Sequence, residues 1–234
     1  MSVPPSLILV TDPRFGLEQT VAVVTHVARA VGPGRLLVQL RDKASEAGVV
    51  HAAARVLRDV TRRERAMLVV NDRASIAHDV GADGLHLPSQ ATPLASRIAA
   101  ARALLGEDAW VTTAAHDDDD VRAALAGGAT AVLVSPIFAT PGKGSARGVT
   151  ALASARAIVD AARRPLPLLV YALGGITRQN ADSCAEAGAD GVAAIRSLYD
   201  ATDPGVIATA LALVEPFLRG GRSGTRGRVL TSPS

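Results

Sequence analysis

The chain has 234 residues, enough to build one sizeable hydrophobic core. No Pro/Gly/Ser-rich linker divides the middle of the sequence, so we expect a single folded domain. The net charge of +3 comes from residues 219–234, which hold four arginines and no acid. The remaining 21 basic and 22 acidic residues nearly cancel, which argues against a nucleic-acid-binding surface on the folded part.

The cysteine content and the N-terminus indicate a cytoplasmic protein. Cys184 is the only cysteine, so an intrachain disulfide and a Cys-based metal site are both excluded. The first residues lack a basic segment, their apolar run is too short for a signal peptide, and no run approaches a membrane span. Residues 219–234 are Gly/Ser/Arg-rich and are predicted to be a disordered basic tail. The sequence leaves the oligomeric state open, and it is compatible with a homo-oligomer.

Short apolar runs alternate with helical patterns along the chain. Eight runs are predicted as strands: LILV (7–10), LLVQL (36–40), MLVV (67–70), GLHL (84–87), WVTT (110–113), AVLV (131–134), LLVYAL (168–173) and GVAAI (191–195). The helices predicted between and after them lie near 17–31, 45–61, 94–105, 118–126, 150–162, 178–187 and 205–218. This alternation predicts an α/β protein, a single (β/α)8 TIM barrel over residues 1–218.

One phrase recurs at three places in the sequence. It reads GADGL at 81–85, GATAV at 128–132 and GADGV at 188–192. Glycine suits the left-handed position that follows a helix, so each phrase predicts a joint between a helix and the next strand. The alternative architecture is an open doubly wound sheet. Its dinucleotide-binding version carries G-x-G-x-x-G after the first strand, where this chain has TDPRFG, so we favour the barrel.

Cationic residues at the predicted strand ends indicate a diphosphate site. In the stretch VQLRDK, Gln39, Arg41 and Lys43 alternate, so they share one face of the second strand. The carboxyl ends of barrel strands carry the chemistry of this fold. Lys143, after the sixth strand, and Asn71, after the third, would meet them there and suit a diphosphate.

Three other features of these strand ends involve acids and histidines. Asp72 would lie beside the cations and could hold a Mg²⁺ ion that bridges diphosphate oxygens. His116, at the exit of the fifth strand, is a candidate acid/base. We interpret His86 as a packing histidine and the acidic run 117–120 as a helix cap and first turn.

A second anion site is predicted after the seventh and eighth strands. The turn GGIT, residues 174–177, is expected to open a helix whose N-terminal N–H groups favour a phosphate. Arg196 and Ser197 follow the eighth strand, and TIM barrels often bind phosphate between these two loops. Gly174 and Gly175 would let the backbone approach the ligand closely, although a simple tight turn also explains them.

Taken in order, these strand ends resemble the thiamine phosphate synthase and thiazole tautomerase superfamily over roughly residues 7–218. The similar motifs are QLRDK, NDR, GADGLHL, PIFATPGK, ALGGI and GVAAI. The resemblance implies a transferase of thiamine biosynthesis. Such an enzyme couples hydroxymethylpyrimidine diphosphate to a thiazole phosphate, releases diphosphate and uses Mg²⁺.

The resemblance also implies roles for individual residues. The diphosphate substrate is expected at Gln39, Arg41, Lys43, Asn71 and Lys143. The thiazole phosphate is expected at Thr140, Gly175, Ile195 and Arg196, with Gly174 in the same turn. Asp72 is similar to one of two magnesium carboxylates, and His116 and Lys143 are the candidate catalytic residues.

Four positions depart from the synthase pattern. Ala91 stands where a second magnesium carboxylate is usual, and Ala114 where a serine is usual. Gly142 has replaced a threonine in the segment after the sixth strand, and Arg196 has replaced a small serine. A site with one carboxylate is expected to bind magnesium more weakly, since the diphosphate must supply the other ligands.

These departures leave two alternatives open. The thiazole tautomerase branch is similar at LPS, 87–89, and at RGV, 147–149. It would use His116 as its acid/base without magnesium, whereas Lys43 and Asp72 favour the synthase. The other alternative is a barrel that binds the same phosphates without catalysis.

Overall fold

The computed structural model describes residues 4–89, 93–140, 144–162, 168–199 and 203–219. Eight parallel strands close into a barrel in chain order, each paired with the next and the eighth with the first. The strands are β1 (Leu7–Val10), β2 (Leu36–Leu40), β3 (Met67–Asn71), β4 (Gly84–Leu87), β5 (Trp110–Ala115), β6 (Ala131–Val134), β7 (Leu169–Leu173) and β8 (Gly191–Ala194). The predicted TIM barrel is confirmed.

Helices follow the strands and cover the outside of the barrel. They are α1 (Gly16–Val31), α2 (Ala47–Arg63), α3 (Ala74–Asp79), α4 (Leu94–Leu105), α5 (Asp118–Gly127), α6 (Thr150–Ala161), α7 (Ala181–Glu186), α8 (Arg196–Tyr199) and α9 (Asp203–Arg219). The sequence analysis missed α3 and α8, since helices of six and four residues are too short to show a helical period. None of the helices in the described ranges is long and apolar enough to cross a membrane.

Strand alternation divides the core into two layers. Leu7 and Leu9 of β1 point outward and pack with the helices, while Ile8 and Val10 point into the barrel. The barrel interior is filled mainly by apolar side chains, which include Leu37, Val69, Leu133 and Tyr171. Near the carboxyl ends of the strands the buried residues become polar, as at Gln39, Asn71 and His86. The polar residues therefore lie at the carboxyl ends of the strands, and apolar side chains fill the barrel interior beneath them.

The three repeated phrases form the helix-to-strand joints that their glycines predicted. They precede β4, β6 and β8, and Gly128 ends α5 in the left-handed conformation with φ of 78°. At the C-terminus, α9 ends at Arg219, one residue past the predicted end of the barrel. Arg219, the first residue of the proposed disordered tail, is therefore helical, while residues 220–234 lie outside the described residues and their disorder stays a prediction.

Candidate active site at the barrel mouth

A cavity of about 610 Å³ opens at the carboxyl ends of the strands. It brings together eight of the predicted site residues: Gln39, Arg41, Lys43, Asn71, His116, Thr140, Ile195 and Arg196. Asp72, Gly174 and Gly175 lie in neighbouring loops but do not line the cavity. Lys143 falls outside the described residues, as do Ala91 and Gly142.

The second strand supplies the polar floor and one cationic wall of the cavity. Leu37 points into the barrel, and so does Gln39, two residues further along β2; Arg41 and Lys43 follow the end of the strand and also line the cavity. The Arg41 N–H donates to Thr11 Oγ1 at 2.9 Å, which continues the strand direction past its last residue. Gln39 is buried, and its Oε1 has no hydrogen-bond partner among the described residues. A buried amide oxygen of this kind is suited to accept a hydrogen bond from a ligand.

His86 is a site residue that the sequence analysis assigned to packing. Its Nδ1 lies 2.8 Å from Thr112 Oγ1, and the ring is buried on the cavity floor. Burial, followed by the nearby charges of Arg41, Lys43 and Arg97, lowers the pKa of His86 to about 3. The imidazole is therefore neutral near pH 7, and it adds hydrogen-bonding capacity without adding a fourth positive charge. The sequence signal was its place at an inward position of β4.

Asp72 follows β3 in the left-handed conformation, with φ of 59°, and its N–H donates to the His86 carbonyl at 2.9 Å. Its carboxylate is partly exposed, and Oδ1 lies 3.5 Å from Nη2 of Arg97 on α4. The predicted metal ligand is thus already close to a cation. The described part of the chain contains no cluster of three His, Cys, Asp or Glu residues that could hold a metal ion.

His116 is oriented by two hydrogen bonds at the exit of β5. Its N–H donates to Asp120 Oδ2 at 2.7 Å, and its ring Nδ1 lies 3.2 Å from the Ser135 carbonyl oxygen. A carbonyl only accepts, so Nδ1 is the donor in this contact, and Nε2 is left as the ring nitrogen that can exchange a proton with a ligand.

The acidic run after His116 serves structural purposes, as the sequence analysis expected. Asp117 caps α5 by accepting from the Asp120 N–H at 2.9 Å. Asp118 accepts from Ser154 Oγ at 2.6 Å and lies near Arg147, which joins α5 to the segment that leads into α6. Asp119 pairs with Arg122 at 2.8 Å. Each of the four carboxylates thus has a partner within the barrel scaffold, with Asp120 accepting from the His116 N–H.

The GGIT turn after β7 does not open a helix, which corrects one prediction. Asn180 Oδ1 accepts from the Thr177 N–H at 2.8 Å, its Nδ2 donates to the Gly175 carbonyl at 2.9 Å, and α7 begins only at Ala181. The turn lies against the segment after β6, because a Cβ at Gly175 would come within 2.8 Å of Phe138 Cβ. Close packing thus accounts for this glycine, and its phosphate contact stays a prediction.

The loops after the eighth and first strands form the part of the mouth beside β2. Ile195 and Arg196 line the cavity directly after β8, and Thr140 reaches it from the segment after β6. Asp12 and Arg14 from the loop after β1 also line it, and the hydrogen bond with Arg14 lowers the pKa of Asp12. Neither was predicted, since a single acid next to an arginine gives no distinctive sequence signal.

The fold and this cavity define the class of the protein. It is a (β/α)8 barrel whose cavity, lined by four cationic side chains and one acid among polar and apolar residues, opens at the carboxyl ends of its strands, the end that carries the active site in barrel enzymes. The sequence profile of the thiamine monophosphate synthase family matches residues 7–198. The chain belongs to that family, and the predicted family membership is confirmed.

Individual relatives agree with this assignment. The chain is 38% identical over 199 residues to a thiamine-phosphate synthase of Gloeobacter violaceus, an alignment that covers 85% of this chain and 54% of that protein. It is 35% identical over 198 residues to the thiamine-phosphate synthase of Syntrophomonas wolfei, covering 85% and 90%. The chain thus spans about half the length of the first relative and nearly all of the second. The thiamine phosphate pyrophosphorylase structure from Pyrococcus furiosus superposes with a TM-score of 0.74 at 25% identity, covering 93% of this chain and 96% of that one.

Proposed function

We propose that the protein is a thiamine-phosphate synthase, a transferase that couples hydroxymethylpyrimidine diphosphate to a thiazole phosphate and releases diphosphate. The names of its relatives support this activity over the tautomerase and over a non-catalytic barrel. The substrates are the partners that this activity requires. A homo-oligomeric state and a cytoplasmic location stay predictions.

The observation that carries the proposal is the arrangement of the cavity wall. Gln39, Arg41 and Lys43 come from β2, while Ile195 and Arg196 follow β8, on the other side of β1. These residues would give one cavity two groups of anion-binding residues, one on each side of β1. A reaction between two phosphorylated substrates needs two such subsites facing a common centre.

The chemistry assigned to these residues is electrostatic. The bond between the pyrimidine methylene carbon and the diphosphate oxygen breaks, and the electron pair leaves with diphosphate. Arg41, Lys43 and, by sequence, Lys143 would stabilise that developing charge. The thiazole nitrogen then donates its lone pair to the methylene carbon and forms the new C–N bond. Neutral His86, with Gln39 and Asn71, would hold the uncharged pyrimidine ring on the cavity floor by hydrogen bonds.

Magnesium enters the proposal only together with the diphosphate. Asp72 is the carboxylate that the family resemblance assigns to the ion, and Arg97 is already beside it. The described residues therefore do not fit a metal site formed by the protein alone. Diphosphate oxygens would have to supply most ligands, as is usual for Mg²⁺ in phosphoryl sites.

A coupling assay tests the proposal directly. Purified protein is mixed with hydroxymethylpyrimidine diphosphate and thiazole phosphate, with and without magnesium, and thiamine phosphate is quantified. We expect product that depends on both substrates. Absence of product with both substrates and magnesium would overturn the synthase assignment, and the thiazole phosphate carboxylate would then be the substrate to test for tautomerisation.

A further inference from the structure

Arg97 links the two loops on the side of the mouth where a metal would bind. It extends from α4 with a side chain that is only 11% exposed. Its Nη1 donates to the Pro88 carbonyl at 2.7 Å, after β4, and its Nη2 lies 3.5 Å from Asp72 Oδ1, after β3. The guanidinium is therefore fixed by the loop that follows one strand and faces the carboxylate that follows the neighbouring strand.

The position of this cation bears directly on metal binding. Arg97 itself does not line the cavity, but it donates to the carbonyl of Pro88, which does. A guanidinium beside a carboxylate competes with a divalent cation for the same oxygen and repels it. By the family resemblance, Ala91, which lies outside the described residues, also stands where a second magnesium carboxylate is usual. Both features change the local charge in the direction that disfavours Mg²⁺.

We propose that Arg97 is a positioning residue that takes over part of the role of a metal ion by facing Asp72 at ion-pair distance and adding positive charge beside the diphosphate subsite. This inference rests on the proposed function, since it places a diphosphate in the cavity. It goes further because it assigns a fixed protein cation where the reaction would otherwise depend on a bound metal. Two consequences follow: the protein alone binds divalent metal weakly, and it binds diphosphate without metal.

The test uses binding rather than turnover, so it remains readable even if the coupling assay fails. Free Mn²⁺ is titrated into the full-length protein by electron paramagnetic resonance, and inorganic diphosphate is titrated by calorimetry in the presence of a chelator. In Arg97→Gln we expect Mn²⁺ to bind about tenfold more tightly and metal-free diphosphate to bind about tenfold more weakly. Arg122→Gln on exposed α5 removes the same charge far from the mouth and should match the unchanged chain in both titrations.

Two further variants separate positioning from a general loss of structure. Arg97→Lys keeps the positive charge. It should therefore behave like the unchanged chain, with weak Mn²⁺ binding and with diphosphate binding in the absence of metal. Asp72→Asn should leave Mn²⁺ binding to the protein alone almost unchanged, since Arg97 already faces that carboxylate. The proposal is overturned if Asp72→Asn weakens Mn²⁺ binding about tenfold, or if Arg97→Gln leaves both titrations unchanged while its circular dichroism matches that of the parent chain.

Discussion

Asp83 and Asp190 occupy equivalent positions four βα units apart in the barrel, and they make the same three contacts. Asp83 Oδ2 accepts from the Leu68 N–H at 2.7 Å, and Asp190 Oδ2 accepts from the Val170 N–H at 2.8 Å. The backbone N–H of each aspartate donates back to the carbonyl of that same residue. Each carboxylate also pairs with an arginine of a preceding helix, Arg58 at 2.6 Å and Arg156 at 3.1 Å.

The third copy of the repeated phrase, residues 128–132, shows which of these three contacts all the copies share. Thr130 takes the aspartate position, and its Oγ1 accepts from the Val111 N–H at 3.2 Å. The Thr130 N–H donates to the Val111 carbonyl at 2.8 Å. The recurring element is therefore a side-chain oxygen that accepts a hydrogen bond from the backbone N–H near the start of the preceding strand. Where that oxygen belongs to a carboxylate, it also forms an ion pair with an arginine of a helix.

Removing either aspartate should destabilise the barrel without altering the mouth. Asp83→Ala leaves a strand N–H and a largely buried Arg58 without this acceptor, so we expect a loss of about 2 kcal/mol in the free energy of unfolding. Asp190→Ala should cost a similar amount. Urea unfolding measures both, with Asp108→Ala, in an exposed turn, as the control. Wild-type stability in both variants would refute the assigned role of these contacts.

Loss of either cation assigned to the diphosphate should impair catalysis. For Arg41→Ala and Lys143→Ala we expect kcat/KM for the pyrimidine diphosphate to fall by about 100-fold or more, because the leaving group loses a charge-assisted contact. Arg55→Ala, on the outer surface of α2, controls for a change in net charge. If both mouth variants keep near-normal kcat/KM, the diphosphate subsite is assigned wrongly.

The position of Ala91 can be tested by restoring a carboxylate. Ala91→Asp should raise the apparent magnesium affinity in the coupling assay, because a second anionic oxygen ligand would join Asp72. Ala91→Asn has the same shape without the charge and should not. This prediction rests on the sequence resemblance, since Ala91 lies outside the described residues. A magnesium titration that is the same in all three proteins would show that the alignment at this loop is incorrect.

The buried state of His86 predicts a pH dependence of stability. The pKa of His86 is about 3 in the folded chain and its ordinary value is 6.5, so between these pH values the unfolded chain binds a proton that the folded chain does not. The contribution of neutral His86 to the free energy of unfolding is thus complete above pH 6.5. It decreases by about 1.4 kcal/mol per pH unit as the pH falls below that value. Carboxylates with lowered pKa values, such as Asp12, affect stability only at lower pH.

Urea unfolding at pH 7.5, 6.0 and 5.0 measures this slope. His86→Gln loses the contact with Thr112 and should be less stable at pH 7.5, but its stability should change less between pH 6.0 and 5.0. Equal slopes in the two proteins would mean that His86 is protonated in the folded state.

His116 distinguishes the two activities of the superfamily. Coupling moves no proton from the thiazole nitrogen, whereas tautomerisation requires an acid/base at the mouth. If the chain aromatises the thiazole phosphate carboxylate, His116→Ala should abolish that proton transfer while the fold stays intact. A proton-exchange assay in deuterated buffer measures it, and full tautomerase activity in the variant would remove His116 from that role.

Much of the architecture and part of the site followed from the sequence alone. The count and spacing of the apolar runs predicted the barrel, because parallel strands buried on both sides must be nearly continuous in apolar residues. The two-residue period of a strand predicted that Gln39, Arg41 and Lys43 lie together, and all three line the cavity, although β2 itself ends at Leu40. Such local periodicities need no knowledge of the rest of the chain.

The tertiary structure decided which residues meet between elements. Arg97 reaches Asp72 from a different helix, His86 gains its neutral state from burial beside three cations, and the GGIT turn is held by Asn180 instead of opening a helix. These contacts depend on how the strands are staggered around the barrel and how each helix packs on them. The sequence indicated that the side chains at the end of β2 belong to the mouth, but only the packed barrel determined which other residues join them there and which charges lie beside one another.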